Sequence, residues 1–314
     1  MSKRIVLLIA GLLAAGAAAD QLAYVAEGGA APRIVIIDVE SAAEVLLLDK
    51  GDRPAWSPDG TMLAFIGNAE DREALFIADC DDAGGLEPYA PTLTDGSPVW
   101  SPDGRWVAFA DNRGDEARLR LIEVESGEER RLSGQAVEIP PWSVVWSPDG
   151  TRLAFTKLTD YADPQLYLIS VDGGNELRMT DAGWHVVYAW TADDGLLYTR
   201  DADLWLMDAD DGEARRLTET GYCWNPALSP DRTRVVFNST YHLYLLDLTD
   251  GAVTQLTTEG RNGQPVWSPD GSRIAFVSDR DGDREVFVID ADGDNPRQLT
   301  DNDGDDHSPA WRPE

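Results

Sequence analysis

Aromatic, histidine and arginine side chains recur in one kind of loop along this sequence, and they predict a binding site. Each of these loops leads into a short apolar segment that ends in Trp or Leu. Exposed aromatic rings beside a few polar groups suit a peptide, a sugar ring or another ligand. The alternative is that the rings only plug a channel and fasten the loops. The predicted ligand-binding residues are Trp142, Trp184, His185, Tyr222, Trp224, Arg261 and His307.

The histidines allow a second chemistry, because clustered imidazoles bind metal ions. The chain has three of them, His185, His242 and His307, and all map to the same predicted face. A metal held there would favour a metal-dependent enzyme. Three scattered histidines are more often ordinary loop residues, so binding without catalysis is the preferred interpretation.

Alternating carboxylates near the C-terminus fit a calcium ion as the candidate cofactor. Asp279, Asp281 and Asp283 alternate with other residues, and the segment Asp301 to Asp306 is similar. Ca²⁺ needs several oxygen ligands, which such a pattern supplies. Neither segment matches a full EF-hand loop, and the alternative is ordinary solvated turn chemistry.

A repeated phrase positions these loops. Its clearest copy runs from Pro265 to Phe276 and consists of a short strand ending in Trp, a Ser-Pro-Asp-Gly turn and a second strand. Pro sets the backbone of the turn and Gly supplies the positive φ that closes it. The last residue of the first strand marks each copy. The markers are Trp56, Trp100, Trp146, Trp190, Leu228, Trp267 and Trp311.

The spacing of the markers predicts an all-β fold, a seven-bladed β-propeller of four-stranded blades. A period of about 40–45 residues built from short strands is typical of propeller blades. Three strands follow residue 20 without a marker before them, and Pro309 to Trp311 is an inner strand with no blade after it. We therefore expect the C-terminal strand to join the N-terminal blade and close a single domain over residues 20–314.

The repeats carry a family resemblance. Trp267 to Phe276, Ser278 to Gly282, and Val288 to Gly293 followed by Arg297 to Thr300 resemble the WD40-like repeat of the TolB propeller family. A TolB carries a separate α/β domain and usually six blades. Here the first blade starts close to residue 20 and seven are counted, so a TolB-like propeller is expected rather than a full TolB.

The same repeats are similar to two groups of enzymes. Oligogalacturonate lyase propellers have such repeats. The feature of those lyases that this resemblance implies is a metal site formed by three histidines, here His185, His242 and His307. The propeller of prolyl-oligopeptidase-type peptidases is also similar. The sequence contains no Gly-x-Ser-x-Gly motif, which argues against the hydrolase domain of those peptidases.

Charge and the first residues predict where the protein works. The formal net charge is −31, which argues against nucleic acid and anionic membrane surfaces as partners. Residues 1–19 have a Lys3-Arg4 start, an apolar run and small residues at the end, so they predict a signal peptide. The alternative is an uncleaved anchor. Cleavage would leave a mature chain without a membrane span, in the periplasm or secreted.

Together these features predict a monomeric binding or scaffold module. Its partner would be a protein or peptide of the cell envelope, bound at the mouth of the propeller channel. The alternative is an envelope enzyme, a metal-dependent glycan lyase or hydrolase that uses the histidine- and aromatic-lined face.

Overall fold

The structure is a computed structural model, and it describes residues 20–29, 31–48, 51–69, 72–80, 96–111, 118–132, 139–140, 143–158 and 163–314. The predicted signal segment, residues 1–19, lies outside the described residues. The part of the chain that the structure describes contains no helix with the length and apolarity of a membrane span.

The described chain folds into short β-strands. The first ten are β1 Gln21–Glu27, β2 Arg33–Asp38, β3 Ala43–Leu48, β4 Gly51–Trp56, β5 Met62–Ala69, β6 Arg72–Asp79, β7 Val99–Trp100, β8 Trp106–Asp111, β9 Arg118–Glu123 and β10 Glu129–Arg131. The next eight are β11 Val144–Trp146, β12 Arg152–Lys157, β13 Gln165–Ser170, β14 Leu177–Arg178, β15 His185–Trp190, β16 Gly195–Arg200, β17 Asp203–Asp208 and β18 Ala214–Arg216. The last nine are β19 Cys223–Leu228, β20 Arg234–Ser239, β21 His242–Asp247, β22 Val253–Gln255, β23 Asn262–Trp267, β24 Arg273–Ser278, β25 Glu285–Asp290, β26 Arg297–Gln298 and β27 Asp305–Trp311.

The strands form seven antiparallel sheets, which confirms the predicted seven-bladed β-propeller. Blade 1 has the order β27-β1-β2-β3, and blade 2 contains β4-β5-β6 among the described residues. Blades 3 to 7 are β7 to β10, β11 to β14, β15 to β18, β19 to β22 and β23 to β26. The closing strand is as predicted, because β27 pairs with β1 through Leu22–Trp311 and Ala23–Ala310.

Residue contacts divide the chain into two compact units. The first comprises Met1–Asp71, Phe76–Tyr89 and Asn225–Glu314, and it carries most of blades 1, 2, 6 and 7. The second comprises Arg72–Leu75 and Ala90–Trp224, and it carries blades 3, 4 and 5. Each unit has its own buried apolar clusters between adjacent blades, such as Ala154, Leu166, Val187 and Tyr198 between blades 4 and 5.

The Ser-Pro-Asp-Gly phrase forms a self-contained turn. In blade 7, Ser268 Oγ donates to Asp270 Oδ1 at 2.6 Å and accepts from the backbone N–H of Arg273 at 2.9 Å. Asp270 also accepts from the N–H and hydroxyl of Ser272. These bonds, led by the Ser268 hydroxyl, lower the pKa of Asp270 to about 2. The same network recurs at Asp59, Asp103, Asp149 and Asp231.

The marker tryptophans bind neighbouring blades together by a repeated hydrogen bond. In five of the six marker tryptophans, the indole N–H donates to the carbonyl oxygen of the residue before the preceding blade's marker, at 3.0–3.2 Å. In the first unit the donors are Trp56, Trp267 and Trp311, and in the second they are Trp146 and Trp190. The spacing of the marker tryptophans in the sequence therefore corresponds to a hydrogen bond that is repeated between neighbouring blades.

One turn lacks its glycine, and this gives a stability prediction. Arg232 occupies the place of Gly271 in blade 6, with φ of 59° against 69° for the glycine. A left-handed conformation costs a residue with a Cβ about 1–2 kcal/mol. Arg232→Gly is therefore expected to raise the free energy of unfolding by about 0.5–1 kcal/mol, after the entropy lost by glycine, as measured by chemical denaturation. Arg232→Ala, which keeps the Cβ, should give no such gain, and an equal gain would assign the effect to the arginine side chain.

Candidate functional site

A tight hairpin in blade 5 organises the candidate site. Strands β16 and β17 are joined by Asp201 and Ala202, whose φ values are 51° and 62°. Positive φ at both central residues is the geometry of a two-residue type I′ turn, which usually contains Asn or Gly. Here neither residue is Gly, and the turn is supported from two sides.

Two loops that carry predicted site residues bind this hairpin. The backbone N–H of Asp201 donates to the carbonyl of Trp184 at 3.1 Å, and Asp201 Oδ1 accepts from the N–H of Trp184 at 3.3 Å. On the other side the N–H of Cys223 donates to the carbonyl of Ala202 at 2.8 Å. The loops leading into β15 and β19 therefore meet at one turn.

Asp203 fixes the second of these loops. Its Oδ1 accepts from the Thr218 hydroxyl at 3.1 Å and from the N–H groups of Thr220 and Gly221 at 2.8 and 3.0 Å. Its Oδ2 accepts from Arg216 at 2.6 Å. Burial disfavours the charge of this carboxylate, but the Gly221 N–H, Arg216 and Thr218 more than offset it and lower the pKa of Asp203. Both carboxylate oxygens of Asp203 therefore accept hydrogen bonds from the protein, and these bonds stabilise the loop that leads into β19.

Three of the predicted aromatic residues are exposed around this hairpin. Trp184 is 52% exposed, Tyr222 62% and Trp224 48%, although large apolar side chains are normally buried. We call these three residues the aromatic cluster. Because Trp184 and Cys223 are hydrogen-bonded to one turn, the three rings are presented on a fixed backbone, as a binding surface requires.

His185 is placed differently from the aromatic cluster. It is the first residue of β15 and only 2% exposed. Its ring stacks on Tyr198 with centroids 5.8 Å apart, and Nδ1 donates to the carbonyl of Gly183 at 3.0 Å. Burial lowers the pKa of His185. Its place in the structure is that of a neutral packing residue beneath the loop.

A cleft beside the hairpin was missed by sequence reasoning. It is lined by Arg200, Asp201, Asp203, Trp205 and Arg216 and has a volume of about 280 Å³. The strand register explains why these side chains lie together. Arg200 pairs with Asp203 across the hairpin. Trp205 pairs with Tyr198 on one neighbouring strand and with Arg216 on the other, so these side chains share one side of the sheet. The signal in the sequence was the alternation of Arg200, Asp203 and Trp205 about the two-residue turn.

The remaining predicted residues lie elsewhere or outside the description. Arg261 belongs to the first unit, where its guanidinium lies 5.3 Å from the ring centre of the exposed Tyr241. His307 is also in that unit, with Nε2 3.2 Å from Glu27 Oε1 and Nδ1 3.0 Å from the Ser308 hydroxyl. Trp142 lies outside the described residues.

Two of the three predicted calcium ligands accept hydrogen bonds from protein donors. Asp279 Oδ1 accepts from the N–H of Arg261 at 2.6 Å, and Asp281 accepts from the side-chain amide of Gln298. Within the ranges that the structure describes, no three His, Cys, Asp or Glu side chains are grouped so that they could hold a metal ion. The structure therefore does not bring Asp279, Asp281 and Asp283 together.

Two buried acids lie where blade 7 meets the closing strand, and the sequence did not single them out. Glu285 and Asp306 are both 0% exposed. Glu285 accepts from the Thr300 hydroxyl and from the N–H of Asn302, whose side-chain amide donates to Asp306 Oδ2 at 2.8 Å. Burial, aided by the charge of Glu285, raises the pKa of Asp306 to about 7.

Family models match two parts of the chain. Residues 238–314 match the model described as TolB beta propeller domain. Residues 199–267 match the model of the dipeptidyl peptidase IV N-terminal region. No curated protein matches the sequence.

Solved structures with a similar fold include two TolB proteins and a lyase. TolB from Acinetobacter baumannii is 20% identical with a TM-score of 0.61, over 93% of this chain and 82% of that one. A putative TolB from Agrobacterium tumefaciens is 26% identical with a TM-score of 0.57, over 70% and 85%. An oligogalacturonate lyase in complex with manganese is 14% identical with a TM-score of 0.69, over 91% and 87%, which shows a shared fold alone. With its seven antiparallel sheets, the chain is a seven-bladed β-propeller, and its C-terminal residues 238–314 match the TolB propeller model.

Proposed function

We propose that this protein is a binding module that docks a protein or peptide partner on the aromatic cluster, Trp184, Tyr222 and Trp224. The observation that carries the proposal is their exposure, at 52%, 62% and 48%, on two backbone segments that are hydrogen-bonded to one hairpin. Tyr and Trp dominate the energetics of protein interfaces because they bury much area with few rotatable bonds.

The backbone around the cluster supports the same proposal. Asp203 ties down the loop before Tyr222, and Asp201 ties down Trp184. A partner would then bind with little loss of loop entropy, which is the main advantage of a preorganised surface. The predicted signal segment supports a site of binding in the periplasm or outside the cell.

Panning a random peptide library against the chain from Asp20 onward tests the proposal. The enriched peptides are synthesised and their dissociation constants are measured by calorimetry. Replacement of both Trp184 and Trp224 by Ala is expected to weaken binding at least about tenfold, since hot-spot aromatics contribute upwards of about 1–2 kcal/mol each.

The matched control is Leu177→Ala. Leu177 is an exposed apolar residue on the outer strand β14 of blade 4, and its replacement should leave binding unchanged. Folding of each variant is checked by circular dichroism and thermal melting. The proposal fails if the parent chain enriches no peptide, or if the peptides bind the double variant as tightly as the parent.

A further inference from the structure

We propose that the cleft of Arg200, Trp205 and Arg216 is a receptor for a single carboxylate of the docked peptide. This inference rests on the proposed function and adds the charge and the anchor point of the partner. The cleft adjoins the aromatic cluster, because Asp201 lines the cleft and hydrogen-bonds to the backbone of Trp184.

The two guanidinium groups retain donors for a ligand. The Nε atom of Arg200 is 3.9 Å from Asp201 Oδ2, too far for a hydrogen bond, and its side chain is 44% exposed. Arg216 donates through one terminal nitrogen to Asp203, and its other terminal nitrogen is 3.9 Å from the exposed Glu219. A guanidinium has five N–H donors in a planar fork, so most of these donors face the cleft or water.

Trp205 forms an apolar wall beneath these donors. The guanidinium of Arg200 lies 5.2 Å from the centre of its ring, a cation–π distance. Trp205 is partly buried and packs on the apolar cluster between blades 4 and 5. The ring is therefore held in place, and a ligand that reaches the arginines would pass along it.

The acids of the cleft determine which anion fits. Asp203 is fully engaged by Arg216, Thr218, Thr220 and Gly221, so it shapes the wall and has little capacity for a ligand. Asp201 remains largely exposed at the rim. Two carboxylates and a net charge of −31 oppose a dianion such as phosphate more than a monoanion. A planar carboxylate also matches the guanidinium fork.

Size and position identify the occupant as part of a larger chain. A cleft of about 280 Å³ is slightly smaller than typical small-molecule sites, which span about 300–1,000 Å³. It accommodates one residue, and the neighbouring aromatic cluster accommodates the next ones. The carboxylate would be the C-terminus of the peptide or the side chain of Asp or Glu.

Three small probes test the cleft without knowledge of the natural partner. N-acetylphenylalanine carries a terminal carboxylate, N-acetylglutamyl-phenylalanine amide carries a side-chain carboxylate, and N-acetylphenylalanine amide carries none. Binding to the folded chain is followed by NMR, using the indole N–H signal of Trp205, assigned through Trp205→Phe. At least one of the two carboxylate probes is expected to shift this signal. It should also bind at least about tenfold more tightly than N-acetylphenylalanine amide, the probe without a carboxylate. The tighter of the two identifies the source of the carboxylate.

Arg200→Gln is the decisive variant, and Arg215→Gln is its matched control. Arg215 pairs with Leu206, so it lies on the opposite side of β18 from the cleft, yet its replacement removes the same charge. Arg200→Gln should weaken the carboxylate probe about tenfold and Arg215→Gln should not. Equal binding of amide and carboxylate, equal effects of the two variants, or no shift of the Trp205 signal would overturn the inference. Failure of the proposed function is distinct, since it is read from library peptides on the Trp184 and Trp224 variant.

Discussion

Replacement of Trp267 by alanine is expected to lower the free energy of unfolding by about 3–5 kcal/mol, the range for a buried Trp truncated in a core. Trp267 is 8% exposed between blades 6 and 7, and its indole N–H donates to the carbonyl of Ala227 at 3.0 Å. Arg234 lies 4.8 Å from the ring centre. The variant therefore loses apolar contact, a hydrogen bond and a cation–π interaction together. Chemical denaturation measures the change.

Two further variants separate these contributions. Trp267→Phe keeps most of the ring and removes the donor, so it should cost about 1–3 kcal/mol through the unsatisfied Ala227 carbonyl. Trp184→Ala, which truncates an exposed tryptophan, should change stability by no more than about 0.5 kcal/mol. If Trp267→Ala were as mild as Trp184→Ala, the marker tryptophans would not hold adjacent blades together.

Asp306→Asn is expected to stabilise the protein strongly at pH 8 and considerably less at pH 5, with little effect only below about pH 4. Burial beside Glu285 raises the pKa of Asp306 from 3.8 to about 7. The folded state therefore keeps a proton on this carboxyl group that the unfolded chain releases near pH 4. Its contribution to stability is present in acid, falls as the pH rises from about 4 to 7, and is lost above 7. Asn is neutral throughout, so the gain at pH 8 should be on the order of 2–4 kcal/mol.

The surroundings of the carboxyl group favour this interpretation. Asp306 Oδ1 is buried without a hydrogen-bond partner, while Oδ2 accepts from Asn302. The neighbouring Tyr24 cannot compensate a negative charge at Asp306, because a tyrosine carries no positive charge. Burial, followed by the charge of Asp306, raises the pKa of Tyr24. A charge at Asp306 is thus poorly compensated by its neighbours.

Asp303→Asn serves as the control, because it removes a carboxylate from an exposed residue of the loop that leads into β27. In a chain with a net charge of −31, the loss of any carboxylate weakens self-repulsion, and the control measures this general effect. Melting temperatures of both variants are compared across pH 5 to 8. Parallel curves for Asp306→Asn and the parent would contradict a raised pKa at Asp306.

The repeat phrase was enough to predict the blade plan, the marker tryptophans and the closing strand. Each copy contains its own turn chemistry, with the side chains of Ser268 and Asp270 bonded within the turn, so the local sequence determines the local structure. A large residue at each marker then implies packing between repeats. These features follow from sequence because the interactions that produce them are local or are repeated at a constant spacing.

Only the tertiary structure decided how the site residues are grouped. Trp184, Ala202 and Cys223 are distant in sequence, and their meeting depends on hydrogen bonds between backbone groups that no side-chain pattern encodes. For the same reason His185 could not be told from an exposed loop residue, since its burial depends on Tyr198 of the next strand. The raised pKa of Asp306 likewise required Glu285 beside it and the exclusion of water. Sequence determined the blades, whereas side-chain exposure and long-range pairing determined the candidate site, because both depend on which strands become neighbours after folding.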